Sequence, residues 1–226
     1  MFGIIAALIV IILLISLFSF FFNEEARTKR ALKQTPISSF TTFKDGQIGK
    51  IVGQVILKDK ALISPLTQQE CAGYHVIVQE ERESTHKDAD GDEHTSTEWH
   101  TIIEEKLISD FLLKNAEGIA LVRSRGNNTA INKEHQFKSG IFNDSTPTLE
   151  AFLNKHGEKS TTFFGNNKTL RYVEGLLEEG EKVAVLGKGK WLYHLPELHA
   201  HHKVLEIYAD KEQRLFISDK FSTFTN

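Results

Sequence analysis

Residues 74–79, Tyr-His-Val-Ile-Val-Gln, alternate Tyr74, Val76 and Val78 with His75, Ile77 and Gln79, the period of two that lets a strand bury one face. Residues 99–104 repeat the pattern, with Trp99, Thr101 and Ile103 set against His100, Ile102 and Glu104. The two stretches are expected to pair. Between them, EERESTHKDADGDEHTSTE from Glu80 to Glu98 is almost wholly polar and predicts a long, mobile hairpin tip.

The same grammar extends in both directions. Ile48 to Leu57 carries Ile51, Val52, Val55 and Ile56 around Gly53, as a strand with a bend or bulge would. Further strands are expected at Phe111 to Leu113, Ile119 to Arg123, Lys182 to Leu186, Lys203 to Tyr208 and Leu215 to Ile217, with Asn115 and Gly118 turning the first into the second. Helices are few. Thr148 to His156 places Leu149, Phe152 and Leu153 on one face after a capping-type threonine, and Tyr172 to Leu177 reads as a second short helix stopped by Gly180.

One stretch stands apart. Phe2 to Phe22, FGIIAALIVIILLISLFSFFF, holds no charge over 21 residues. As a helix it would rise about 31 Å, close to a hydrocarbon core of about 30 Å. It lacks the basic leader, the short apolar core and the small-x-small site of a cleaved signal peptide, so an uncleaved anchor is expected. Arg27, Lys29, Arg30 and Lys33 follow it and no side-chain cation precedes it, which places the rest of the chain on the cytoplasmic side by the positive-inside rule. The expected fold class is therefore mainly β (α+β), a compact soluble domain with one N-terminal transmembrane helix. Its divisions are a membrane helix at 1–23, a juxtamembrane linker at 24–42 with Thr35-Pro36 inside it, and one β-rich domain at 43–226, with at most a long insertion.

Composition removes several classes of function. The net charge of -3 and pI near 6.4 supply no basic field for nucleic acid. Cys71 is the one cysteine, so no internal disulfide, Cys-rich zinc site or CxxC redox pair can form.

Ser64-Pro65-Leu66-Thr67, followed by Cys71, Tyr74 and the strand after it, resembles the corresponding segment of the GIDE or "beside a membrane" (BAM) domain, found in mitochondrial membrane-anchored E3 ubiquitin ligases. Trp99, FLLKNAEGIALV at 111–122, RYVEGLLEEGEKVAVLGK at 171–188 and LFISDK at 215–220 follow in the family's order. The resemblance implies a compact β-rich domain lying against the bilayer and binding partners there. It does not carry the ligase activity, because the family's RING holds two zinc ions through a set of Cys and His ligands that one cysteine cannot supply. In the mitochondrial members the domain lies across the membrane from the RING, whereas the charge flank here points to the cytoplasm.

Candidate sites are sparse. Cys71, at the start of a strand, is expected to be a small buried core residue rather than a nucleophile. HKDADGDEH at 86–94 crowds Asp88, Asp90, Asp92 and Glu93 but breaks the EF-hand register at Gly91, and so reads as a solvated turn. His194, His199, His201 and His202, in HLPELHAHH, are the metal candidates, although adventitious nickel binding is the expected behaviour of such a tract. Gly187-Lys188-Gly189-Lys190 lacks the spacing of a phosphate loop and reads as a hairpin turn. Trp99, Tyr172, Trp191 and Tyr193 are expected in the core or facing the bilayer. No catalytic or cofactor-binding residue is expected, and no cofactor.

The sequence thus points to a membrane-anchored, non-catalytic binding or sensing module. Its expected partners are the bilayer, through Phe2 to Phe22, and an unidentified membrane or membrane-proximal protein. Two alternatives stand beside it: a component of a ubiquitin-ligase-like system with a separate catalytic subunit, and a metal-dependent enzyme built on His194 to His202.

Overall fold

The computed structural model describes residues 23–58, 60–87, 93–140, 143–162, 165–193 and 202–225, and strands dominate them. In chain order these are β1 (Ile48–Ile56), β2 (Leu62–Ile63), β3 (Glu70–Cys71), β4 (Gly73–Lys87), β5 (Glu93–Ile108), β6 (Phe111–Asn115), β7 (Gly118–Val122), β8 (Asn127–Ala130), β9 (His135–Ser139), β10 (Leu170–Leu177), β11 (Lys182–Tyr193), β12 (Lys203–Tyr208) and β13 (Leu215–Ser218). Two short α-helices join them, α1 (Glu24–Gln34) and α2 (Pro147–Lys155). The span 43–226 contributes to two units: one comprises Met1–Asp59, Ser109–Ile131 and Glu179–Asn226, the other Lys60–Ile108 and Asn132–Glu178.

In the first unit a ring of five strands closes in the order β1-β6-β7-β12-β11 and back to β1. Every seam is antiparallel except β7 with β12. This is a five-stranded Greek-key barrel of the OB type, an architecture that by itself assigns no function. The register fixes what faces inward. Ile51 lies opposite Val185, Val55 opposite Leu113, Leu113 opposite Ala120 and Phe111 opposite Val122, while Leu205 and Ile207 stand beside Ala120 and Val122. All of these are fully buried, as the narrow interior of a five-stranded barrel requires.

β1 pairs with β11 through Ile48–Gln54 and with β6 through Gln54–Ile56, so it changes partner beside Gly53. A Cβ there would lie 2.6 Å from the Lys114 carbonyl oxygen, which explains the glycine at the bend. Gly187 to Lys190, expected as a turn, lie instead inside β11. Lys188 and Lys190 reach Asp210 and Glu206 at 2.7 and 2.9 Å, while the two glycines leave room for other side chains. A Cβ on Gly187 would press on Ile207 and Leu215, and one on Gly189 would enter the buried ring of Phe43.

The second unit is an antiparallel sheet ordered β5-β4-β10-β9. Leu149, Phe152 and Leu153 of α2 pack with Tyr74, Val76, Val78, Ile103, Leu170, Tyr172 and Leu176. The strands at 74–79 and 99–104 do pair, with a bulge that leaves Ile102 extra between Ile103, opposite Val78, and Thr101, opposite Gln79. The polar stretch 80–98 is mostly strand rather than loop, because pairing continues to Lys87 and Glu93. Serines and threonines tolerate an exposed ribbon, and the ladder itself satisfies their backbone groups.

Tyr172 to Leu177 form strand β10, not a helix. Leu170, Tyr172, Glu174 and Leu176 all point to buried positions at a period of two, and the charge on Glu174 obscured that alternation. α2 begins one residue earlier than expected, with Thr146 as cap and Pro147 in its first turn. Among the described residues no helix is long and apolar enough to cross a membrane. The expected spanning helix, Phe2 to Phe22, lies outside the described residues.

Gly189→Ala should destabilise the protein by about 1–3 kcal/mol through overpacking against Phe43. Chemical denaturation measures it, and an unchanged midpoint would show that the ring has room to move.

Candidate functional site

The first unit carries its unusual chemistry on the outer face of β1. Asn23 has extended backbone and caps α1, its side chain accepting from the Glu25 and Ala26 amides, so α1 begins there. Glu24 and Glu25 sit in its first turn and Lys33 in its last, matching the helix dipole. The Glu24 carboxylate accepts from the Thr129 amide of β8 at 2.7 Å. Leu32 is buried with Ala184 and Leu186, and Ala31, Val52, Phe216 and Phe224 pack around them.

Lys50 completes this attachment. It is fully buried, and its Nζ donates to the Leu32 carbonyl at 2.9 Å and to the Thr225 carbonyl at 2.8 Å. An ammonium at the C-terminal turn of a helix meets carbonyls that lack helical partners. Burial pushes its pKa below the usual lysine value. Beyond α1, Phe40 and Phe43 are buried, and Glu117 accepts from the Phe40 amide at 2.6 Å and the Ser39 hydroxyl at 2.7 Å. The stretch 24–42, expected as a linker, is therefore a helix and a coil bonded to the barrel along its length.

In the second unit the turn at 64–69 forms a cradle around Glu174. Glu174 is fully buried on β10, and its carboxylate accepts from the Leu66 amide at 2.9 Å, the Thr67 amide at 3.0 Å and the Thr67 hydroxyl at 2.7 Å. Ser64 Oγ lies 2.6 Å from Thr67 Oγ1, and Gln68 adopts φ of 59° to close the turn. Three donors make a buried carboxylate tolerable.

A second cluster lies nearby in the same unit. Glu105 accepts from Tyr74 Oη at 2.5 Å and from Lys155 Nζ at 2.9 and 2.8 Å, with His156 Nε2 at 2.7 Å. Burial alone pushes the Glu105 carboxyl up, but the bonds from Lys155, Tyr74 and His156 outweigh it and hold it below the usual range. Burial and the bond to Glu105 push Tyr74 well above the ordinary tyrosine value. An open groove of about 470 Å³ runs alongside, lined by Pro65, Gln68, Pro147, Ala151, Phe152 and Lys155 among others. Its one titratable lining group, Lys155, is engaged by Glu105. Beside the groove, Glu105, Tyr74, Lys155 and His156 are bonded to one another.

The residues singled out in the sequence fall as follows. Cys71 is fully buried, and its thiol is pushed up to about 11, first by burial and then by the charge of Glu174. His75 is bonded to Glu104 at 2.7 Å and is lowered by burial. Trp99 carries the Arg171 guanidinium 4.4 Å from its ring centroid, and Tyr172 is buried with its hydroxyl 3.1 Å from Ser145. Trp191 donates to the Phe43 carbonyl, and Tyr193 is exposed. His202 lies at the edge of β12; His194, His199 and His201 fall outside the described residues, as do Asp88, Asp90 and Asp92. Among the described residues no group of three or more His, Cys, Asp or Glu is placed to hold a metal.

Sequence reading missed Lys50, Glu105 and Glu174. Glu174 was accessible to it, since it falls on the alternation of Tyr172 and Leu176. Lys50 was not, because a lysine beside Val52 and Gln54 on one strand face ordinarily marks solvent. Comparison of the chain with protein-family models, curated proteins and solved structures gives no match.

A carboxylate held below its ordinary pKa contributes stability above that value and loses it as pH falls through the folded-state value. The Glu105 contribution should accordingly be complete at neutral pH and vanish on acidification below the ordinary 4.5. Glu105→Gln should cost about 1–3 kcal/mol at pH 7 and flatten the acid limb of the stability profile. Denaturation across pH measures both, and superimposable acid limbs would contradict the assignment.

Proposed function

We propose that the protein is a membrane-anchored, non-catalytic module that holds a β barrel directly at the bilayer surface for binding or sensing. The observation that carries this reading is the attachment of α1. The uncharged run 2–22 ends one residue before Asn23, and from Glu24 onward the chain is bonded to the barrel by Glu24, Leu32 and Lys50. No slack tether intervenes. A module built to reach distant partners would need a flexible linker of many residues at that position. The chain instead keeps the barrel within a few residues of the end of that run.

The similarity to the GIDE/BAM domain supports the same reading, since that domain is expected beside a membrane. The engaged state of Lys155 and the buried state of Cys71 support binding over turnover in the second unit. The four cations that follow the apolar run favour the cytoplasmic side for the barrel.

Membranes from cells expressing the full chain should retain it through alkaline carbonate extraction, and protease added outside intact cells should leave residues 24–225 whole. Release into the carbonate supernatant would overturn the anchor. Digestion without lysis would overturn the orientation alone.

A further inference from the structure

Phe221 is 80% exposed, more than any other large apolar side chain among the described residues. A single surface phenylalanine is unremarkable by itself. Its position is what matters. β13 pairs with β8 so that Ile217 lies beside Thr129, and the Thr129 amide donates to Glu24 at 2.7 Å. Two residues after β13 ends, Lys220 Nζ approaches Glu25 Oε1 at 3.4 Å. Two separate contacts therefore bring the segment carrying Phe221 to the first turn of α1, where the apolar run 2–22 ends.

The ring is held in place. Phe221 opens a 3-10 turn, Phe221–Thr223, in which the Thr223 amide and hydroxyl both donate to the Lys220 carbonyl, at 2.8 and 2.6 Å. Phe224 meets the Phe221 ring edge-on at 6.2 Å and is itself packed on the cluster of Ala31 and Leu32. The Thr225 carbonyl beyond it is bonded to Lys50. An exposed aromatic on a braced turn keeps its orientation, as a side chain on a frayed terminus would not.

We infer that Phe221, with the adjacent cation Lys220, rests in the headgroup–acyl boundary of a bilayer beside the point where the apolar run leaves it. The inference rests on the anchor reading of residues 2–22 and adds which end of the barrel meets the lipid. Aromatic rings favour that boundary, and a lysine beside the ring suits its headgroups. Membrane contact would thus come from two separated parts of the chain, the N-terminal run and the turn after β13.

The test uses the full chain with Cys71→Ala, carrying an environment-sensitive NBD probe on Phe221→Cys or, as control, on Lys211→Cys. Lys211 is exposed in the turn before β13, at the opposite end of that strand. Each protein is reconstituted into vesicles of phosphatidylcholine and phosphatidylserine and floated on a density gradient. The probe at 221 should brighten several-fold, shift to the blue and be quenched by lipid-borne nitroxide, while the probe at 211 should stay water-like and unquenched. Floating protein with both probes equally water-exposed would overturn this inference alone. Protein that fails to float would overturn the anchor reading and this inference with it.

Discussion

The buried ammonium of Lys50 is the constraint on which the first unit depends. A charge withdrawn from water must find partners, and this one finds them in carbonyls from two distant parts of the chain, Leu32 and Thr225. Hydrogen bonds from a charged group contribute about 1.5–3 kcal/mol each when formed, and leaving the charge unpaired would cost at least as much. α1, β1 and the turn after β13 must therefore be in place together. The barrel and α1 are one object, bonded through Lys50 and packed at Leu32.

The second unit repeats the device with the opposite sign. Glu174 sits fully buried on β10, and amides and a hydroxyl from the 64–69 turn surround its carboxylate. In both cases a buried charge binds main-chain groups of a neighbouring segment and fixes its path. The partners named for each charge belong to the chain itself, which is the physical reason for reading these groups as architecture.

Period-two patterns with one buried face were legible, and they placed most strands of both units. Two kinds of element were not. The ribbon of residues 80–87 and 93–98 is held by its backbone ladder, so its polar side chains gave no alternation to detect. Gly187 to Lys190 looked like a turn because glycine is ambiguous in sequence; here the missing side chains admit Phe43, Ile207 and Leu215, a requirement set by residues far away in the chain. Lys50 was invisible for a related reason. Its burial is imposed by α1 and the segment around Thr225, neither of which a local reading of β1 can see. Glu174 was the readable exception, masked by the habit of giving charged positions to solvent.

Lys50 and Leu32 lock α1 to the barrel. Pulsed electron paramagnetic resonance between spin labels at the exposed positions Arg27, on α1, and Lys211, on the turn before β13, tests it directly in vesicle-reconstituted protein. The locked arrangement gives one narrow distance distribution, unchanged between vesicles and detergent. A broad distribution, in a barrel that is otherwise folded, would mean that α1 moves as a tether and that the clasp at Lys50 does not hold it.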